Sequence, residues 1–472
     1  MSALVALMVS GCPSAYHEPA RLGDRAHISK IEYDLYFVEA DDEGWFWEPA
    51  QADQAFGAIA ESVAVRDTIV VTFVHGWHHS ARCCDGNLEG FKEVLRQLHA
   101  ELAKPMYDRA RVAIHGGRSA GPFRVIGVYV GWRGRSLPGL IDYLTFWGRK
   151  SAAERVGESD FQEFMIHLKE AYEQHAAVPA GAAAGPTLFG LITIGHSFGG
   201  QVVLRAVAPF LEHRLADSSP GARGYLRDVP QAPQGEPLEQ PLRGFGDLVV
   251  LINPATEAAA YQRAHALGRQ LRFGAGQTPV MLTLSAENDV PRDRLFKLGR
   301  VAGEWFAAKP RKSDPRERGM ERQALGFFAE QVTHRLEPAN PARRLRATTL
   351  QSERDAGCPA ADQCEFEWFE WRDLTEPSVQ PDTLSADAFT PEVVARIAAH
   401  DFSSRTVLSD VVLRPEASAT ANQALIVATV ADNVIDGHNG MFSGPLMRFL
   451  TKYIGFVEAK RFLSRLNAGR RQ

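Results

Sequence analysis

The sequence predicts an α/β fold: a mostly parallel central sheet with helices on both faces and a large cap-like insertion. Three observations carry that expectation. Continuous β-branched and aliphatic runs recur along the chain. Helical patterns lie between several of them. A serine, a carboxylate and a histidine each follow the end of one of these runs, in that order. A strand buried on both faces reads as a continuous apolar run, and such strands alternating with helices build a parallel sheet covered on both sides.

Taken in order, Ile31, Tyr33, Leu35 and Phe37 alternate with more polar residues, which reads as a half-exposed strand. Residues 49–63 read as an amphipathic helix. The first continuous run is Ile69-Val70-Val71-Thr72-Phe73-Val74, and similar runs occupy 125–130, 188–194, 248–252, 280–284 and 424–430. Residues 88–102, 160–172 and 201–211 carry helical patterns. Residues 176–186, rich in Ala and Gly, read as a loop, and 218–241, rich in Pro, Gly and Gln, as an exposed excursion. The largest interruption is 291–419, which mixes basic helical segments, a cysteine loop and the aromatic run Phe366-Glu367-Trp368-Phe369-Glu370-Trp371. Its size between two sheet strands predicts a cap over one edge. The expected division is therefore a signal-like segment at 1–12, the first part of the core at 25–290, the insertion at 291–419 and the C-terminal part of the core at 420–472.

Composition excludes some functions. With 45% hydrophobic residues in 472, the chain has ample material for a large core, so disorder is not its main state. A net charge of −5 lacks the basic footprint of a nucleic-acid binder. No run of eighteen apolar residues is present to span a bilayer as a helix.

The five cysteines are Cys12, Cys83, Cys84, Cys358 and Cys364. A short apolar run at 3–9 leads into Val9-Ser10-Gly11-Cys12, which resembles the lipobox of bacterial lipoproteins; no Lys or Arg precedes it. That resemblance implies an acylated Cys12 anchoring the chain in the bacterial envelope, facing the periplasm; without it, the chain is expected in the cytoplasm. The four remaining cysteines suit an oxidising compartment. Cys358 and Cys364 could close a small ring, while Cys83 and Cys84 could stay free, bridge each other or bridge elsewhere. Neither pair has zinc-ligand spacing with a histidine partner.

The run at 188–194 leads directly into Gly195-His196-Ser197-Phe198-Gly199-Gly200 and then a helical pattern. This is G-x-S-x-G in its strand–turn–helix setting. A sharp turn there projects the Ser197 hydroxyl above the sheet, and Gly195 and Gly199 leave room for close backbone. The following helix aims its N-terminal dipole at the site, which favours developing negative charge. Ser197 is the expected nucleophile, and it needs a base.

The run at 280–284 leads into Ser285-Ala286-Glu287-Asn288-Asp289, where Asp289 is the first candidate acid and Glu287 an alternative. Glu257, after the run at 248–252, is a second alternative. The run at 424–430 leads into a loop carrying His438, the expected base. The competing His334 and His400 fall within the insertion. Val74-His75-Gly76-Trp77 ends the first continuous run, and the main-chain N–H groups of Trp77 and Phe198 are the expected oxyanion donors. His78 and His79 lack an accompanying carboxylate cluster, so neither a metal nor a cofactor is expected.

Together these residues resemble the α/β-hydrolase superfamily. More narrowly, the segments at 36–44, 73–77, 143–150 and 435–439 resemble a bacterial group of uncharacterised serine-hydrolase and esterase-like proteins without a settled activity. The resemblance implies acyl transfer through a Ser197–His438–Asp289 triad. The expected substrate is a small-molecule or lipid ester, with a thioester or amide as variants. The aromatic run and Trp305-Phe306 could line an acyl pocket or touch lipid. A catalytically silent binding or assembly module on the same scaffold is the alternative. Oligomeric state is not readable from the sequence.

Overall fold

The computed structural model describes residues 18–115, 121, 123–136, 145–176, 187–218, 236–289, 314–340 and 390–469. Cys12, Cys358, Cys364, Trp305, Phe306 and the aromatic run at 366–371 lie outside them.

Eleven strands form one sheet among the described residues. They are β1 (His27–Ser29), β2 (Tyr33–Glu39), β3 (Thr68–Val74), β4 (Arg124–Gly131), β5 (Phe189–His196), β6 (Leu248–Ile252), β7 (Met281–Ala286), β8 (His334–Pro338), β9 (Thr406–Leu408), β10 (Val411–Pro415) and β11 (Leu425–Val430). Their spatial order is β1-β2-β4-β3-β5-β6-β7-β11-β8-β10-β9. Every neighbouring pair from β2 across to β8 is parallel. Only the two flanks are antiparallel, at β1–β2, β8–β10 and β10–β9.

The helices are α1 (Pro49–Val65), α2 (Gly86–Leu102), α3 (Pro105–Ile114), α4 (Phe146–Glu158), α5 (Asp160–Ala176), α6 (Phe198–Asp217), α7 (Ala258–Gly268), α8 (Pro315–Arg322), α9 (Pro391–Ala399) and α10 (Gly444–Gly469). They divide between the faces as the strand period of two dictates. On β3, Ile69, Val71 and Phe73 join one core with α2 and α10, while Val70 and Val74 join the other with α1, α5 and α6. Both faces are thus dry, which explains why the core strands read as continuous apolar runs. Among the described residues, no helix is long and apolar enough to cross a membrane.

Two expectations need correction. The first strand is not half exposed: Leu35, Phe37 and Val38 are fully buried. β2 lies inside the sheet between β1 and β4, so its intervening Tyr36 and Val38 pack on the second core. The second concerns 291–419, whose described part does not stand off the sheet as a cap. It supplies β8, β9 and β10, with β8 parallel to β11. β8 escapes a search for apolar runs because it is five residues long and alternates, with Arg335 and Glu337 half buried. Cys83 and Cys84 are both disulfide-bonded.

Candidate active site

Parallel strands deliver all their following loops to one edge. β3, β5, β6, β7 and β11 bring residues 75–77, 197, 253, 289 and 438 to the carboxyl edge of the sheet. In open α/β sheets this edge is where ligands bind.

Ser197 sits between β5 and α6 at φ 56°, ψ −121°, a region that costs a non-glycine residue about 1–3 kcal/mol. Main-chain bonds on both sides hold it there: its N–H donates to the Ile252 carbonyl (3.0 Å), and its carbonyl accepts from the Ala255 N–H (2.9 Å). Glycines make the turn possible. A Cβ on Gly199 would lie 2.1 Å from the Val74 carbonyl oxygen, and one on Gly195 2.6 Å from that of Gly199. Such contacts are well inside van der Waals distance, so only glycine fits.

The hydroxyl of Ser197 lies 2.6 Å from Nε2 of His438. Nδ1 of His438 lies 2.7 Å from Oδ2 of Asp289. Asp289 is fully buried, while 13% of the His438 side chain is exposed. A carboxylate accepts, so the imidazole donates through Nδ1 and presents its Nε2 lone pair to the serine hydroxyl. Asp289, His438 and Ser197 are thereby brought together as a hydrogen-bonded relay.

The structure brings neither alternative acid to the histidine. Glu287 forms an ion pair with Arg335, a strand away. Glu257 meets Lys150 at 3.1 Å. The competing histidines are occupied elsewhere: Nε2 of His334 donates to the Ser403 carbonyl (2.7 Å), and Nε2 of His400 meets the Thr406 hydroxyl (2.9 Å). His79 is likewise engaged, at 3.0 Å from Asp85, the N-cap of α2.

The loop after β3 borders Ser197. A Cβ on Gly76 would lie 2.7 Å from the Ser197 Cβ, so the absence of a side chain sets how closely the loop approaches. His75 fixes the peptide that follows. The Trp132 N–H donates to its Nε2 (3.0 Å), which leaves Nδ1–H to donate to the Gly76 carbonyl (2.9 Å). That carbonyl and the Trp77 N–H belong to one peptide plane, so His75 orients the expected oxyanion donor and polarises it. Burial pushes the His75 imidazole down to about 4, so it stays neutral and keeps this tautomer. Phe198 opens α6, where first-turn N–H groups have no intrahelical acceptor. Beside it stand aromatic rings: Phe146 lies 4.9 Å from Phe198 and 5.2 Å from Trp77 between centroids.

Sequence reasoning missed the polar residues that hold the loops carrying Asp289 and His438. Asn288 donates through Nδ2 to Asp436 (2.8 Å) and accepts the Gly437 N–H (2.8 Å). Asn253, fully buried at the end of β6, reaches the same loop. A buried amide closing an apolar run, as in Leu251-Ile252-Asn253-Pro254, is the signal that was available. Comparison of the chain with protein-family models, with curated proteins and with solved structures finds no match.

Proposed function

We propose that this protein is a serine hydrolase built on the α/β-hydrolase plan. Within that class it acts as a carboxylesterase or lipase-like enzyme on a small-molecule or lipid ester. The observation that carries the reading is the relay from Asp289 through His438 to Ser197 at 2.7 and 2.6 Å, at the carboxyl edge of a parallel sheet.

The chemistry follows from the geometry. His438 accepts the hydroxyl proton as Ser197 Oγ bonds to the ester carbonyl carbon, and Asp289 stabilises the imidazolium without taking its proton. The Trp77 and Phe198 N–H groups receive the oxyanion, a contribution of about 2.7–4 kcal/mol per donor in comparable sites. Collapse expels the alcohol with the proton from His438, leaving an acyl-enzyme. Water, deprotonated by His438, then releases the acid and restores Ser197.

Labelling with a fluorophosphonate probe tests the reading. Wild type is expected to label covalently and Ser197→Ala not at all. An unlabelled wild type, or equal labelling of both, returns the chain to the reading of a silent binding module. Anchoring through Cys12 belongs to the same proposal on the strength of Val9-Ser10-Gly11-Cys12. Globomycin should then block processing, and a chain migrating unchanged with and without it would remove the anchor.

A further inference from the structure

Two buried side chains that take no part in the proton relay converge on a single atom, the main-chain carbonyl oxygen of His438. Asn253 Nδ2 donates to it at 2.8 Å and also to the Gly437 carbonyl at 3.2 Å. His196 Nε2 donates to it at 3.0 Å. Burial, with His438 close by, pushes the His196 imidazole well below its ordinary value. The ring is therefore neutral, and its one proton sits on Nε2, facing the carbonyl.

The other end of the Asn253 amide is also committed. Oδ1 accepts the Ala286 N–H at 2.8 Å, three residues before Asp289, and the Asn253 N–H donates to the Leu284 carbonyl at 2.8 Å. Asn253 is fully buried and holds φ 46°, a left-handed conformation that asparagine and glycine tolerate best.

We propose that Asn253, assisted by His196, is the positioning residue that ties the backbone of His438 to the strand end carrying Asp289. One carboxamide joins the acid's strand to the base's loop, and the residue preceding the nucleophile adds a second donor. The proposal rests on the serine-hydrolase reading for its kinetic consequence, not for its geometry. Only a carboxamide serves here, because it presents a donor and an acceptor in one plane. An aspartate would set oxygen against two carbonyl oxygens in a dry site. Freed from the clamp, the His438 carbonyl is released, and what remains is the Asn288 contact to Gly437 and the imidazole's own contacts to Asp289 and Ser197. A displacement of about 1 Å costs such a reaction on the order of 100-fold.

Asn253→Gly is the informative variant, since glycine keeps the left-handed backbone and adds no charge. At a temperature well below its melting point it should lose about 100-fold in kcat on a short-chain nitrophenyl ester, with KM within about twofold. Fluorophosphonate labelling should slow by the same factor. His196→Leu, which removes one donor of two, should lose less, about tenfold, and serves if the first variant does not fold. A folded Asn253→Gly that turns over and labels at the wild-type rate overturns the proposal, as does a folded His196→Leu at full rate should only that variant fold. A second readout is independent of activity: the downfield proton resonance of His438 Nδ1–H, assigned by its loss in His438→Ala. It should vanish or broaden in Asn253→Gly, and its persistence unchanged counts against the clamp. If wild type neither labels nor hydrolyses, the hydrolase reading fails, and this resonance alone decides whether the clamp exists.

Discussion

The proposed nucleophile, Ser197, and its proposed base, His438, are held by different means. Ser197 is fixed by backbone against backbone: Gly195 and Gly199 allow main chain to pass where any Cβ would collide, and Gly76 brings the loop after β3 against the serine itself. His438 is fixed by side chains reaching across the sheet, from Asn253, His196 and Asn288 to its loop and from Asp289 to its ring. A steric lock is all-or-none, because a methyl group either fits or does not. A hydrogen-bonded lock is graded, because each donor can be removed separately. Substitutions on the two sides should therefore fail differently.

The largest effects should fall on the groups proposed to react. Ser197→Ala and His438→Ala should each lower kcat by about 10⁶-fold, since members of such a unit fail together. Rates on an activated ester, with labelling as a check, measure this. Asp289→Asn should follow at about 10⁴-fold, because the amide selects the wrong imidazole tautomer. Gly199→Ala tests the steric lock. Its methyl group would overlap the Val74 carbonyl, and moving β3 away from α6 costs on the order of 1–3 kcal/mol or more. A lowered melting temperature together with lost labelling is expected. A stable, fully active Gly199→Ala would refute the idea that backbone packing holds the serine.

The same contrast decides what could be read in the sequence. The steric lock is local. Its glycines lie within a few residues of Ser197, so G-x-S-x-G after an apolar run exposes it. Asp289 and His438 were legible because each closes a buried strand, and parallel strands send their ends to one edge. The clamp was not legible, since Asn253, Ala286 and His438 meet only through the pairing of β6 with β7 and β7 with β11. Strand order, which no local pattern encodes, brings them together. β8 was missed for a related reason. It lies toward the flank of the sheet, carries alternating Arg335 and Glu337, and looks locally like a polar segment.

Acid should loosen the assembly through buried histidines on both sides. Burial holds His75, His265 and His400 at about 4, and pushes His196 and His334 below their ordinary value. Between the unfolded value near 6.5 and about 4, the unfolded chain binds protons that the folded His75, His265 and His400 refuse, and His196 and His334 act in the same direction. Stability should therefore be full above about pH 6.5 and fall as pH drops toward 4, by up to about 1.4 kcal/mol per pH unit for each of His75, His265 and His400. Urea midpoints measured at successive pH values check the sign. His75→Gln should flatten part of that slope.

The smallest effect falls on the acid that was not chosen. Glu287 stands two residues before Asp289, yet it pairs with Arg335 at a half-exposed position instead of meeting the imidazole. Solvent screens such a pair, and its loss costs about 0–1 kcal/mol. Glu287→Gln should therefore leave kcat within about twofold and shift the melting temperature by little, in contrast to the 10⁴-fold expected for Asp289→Asn. The comparison is sharp because both residues share one loop and one charge. What separates them is direction: the chain leaving β7 turns Asp289 into the site and leaves Glu287 beside β8. A loss in Glu287→Gln as large as in Asp289→Asn would mean that charge near the loop, rather than the 2.7 Å contact with His438, holds the base.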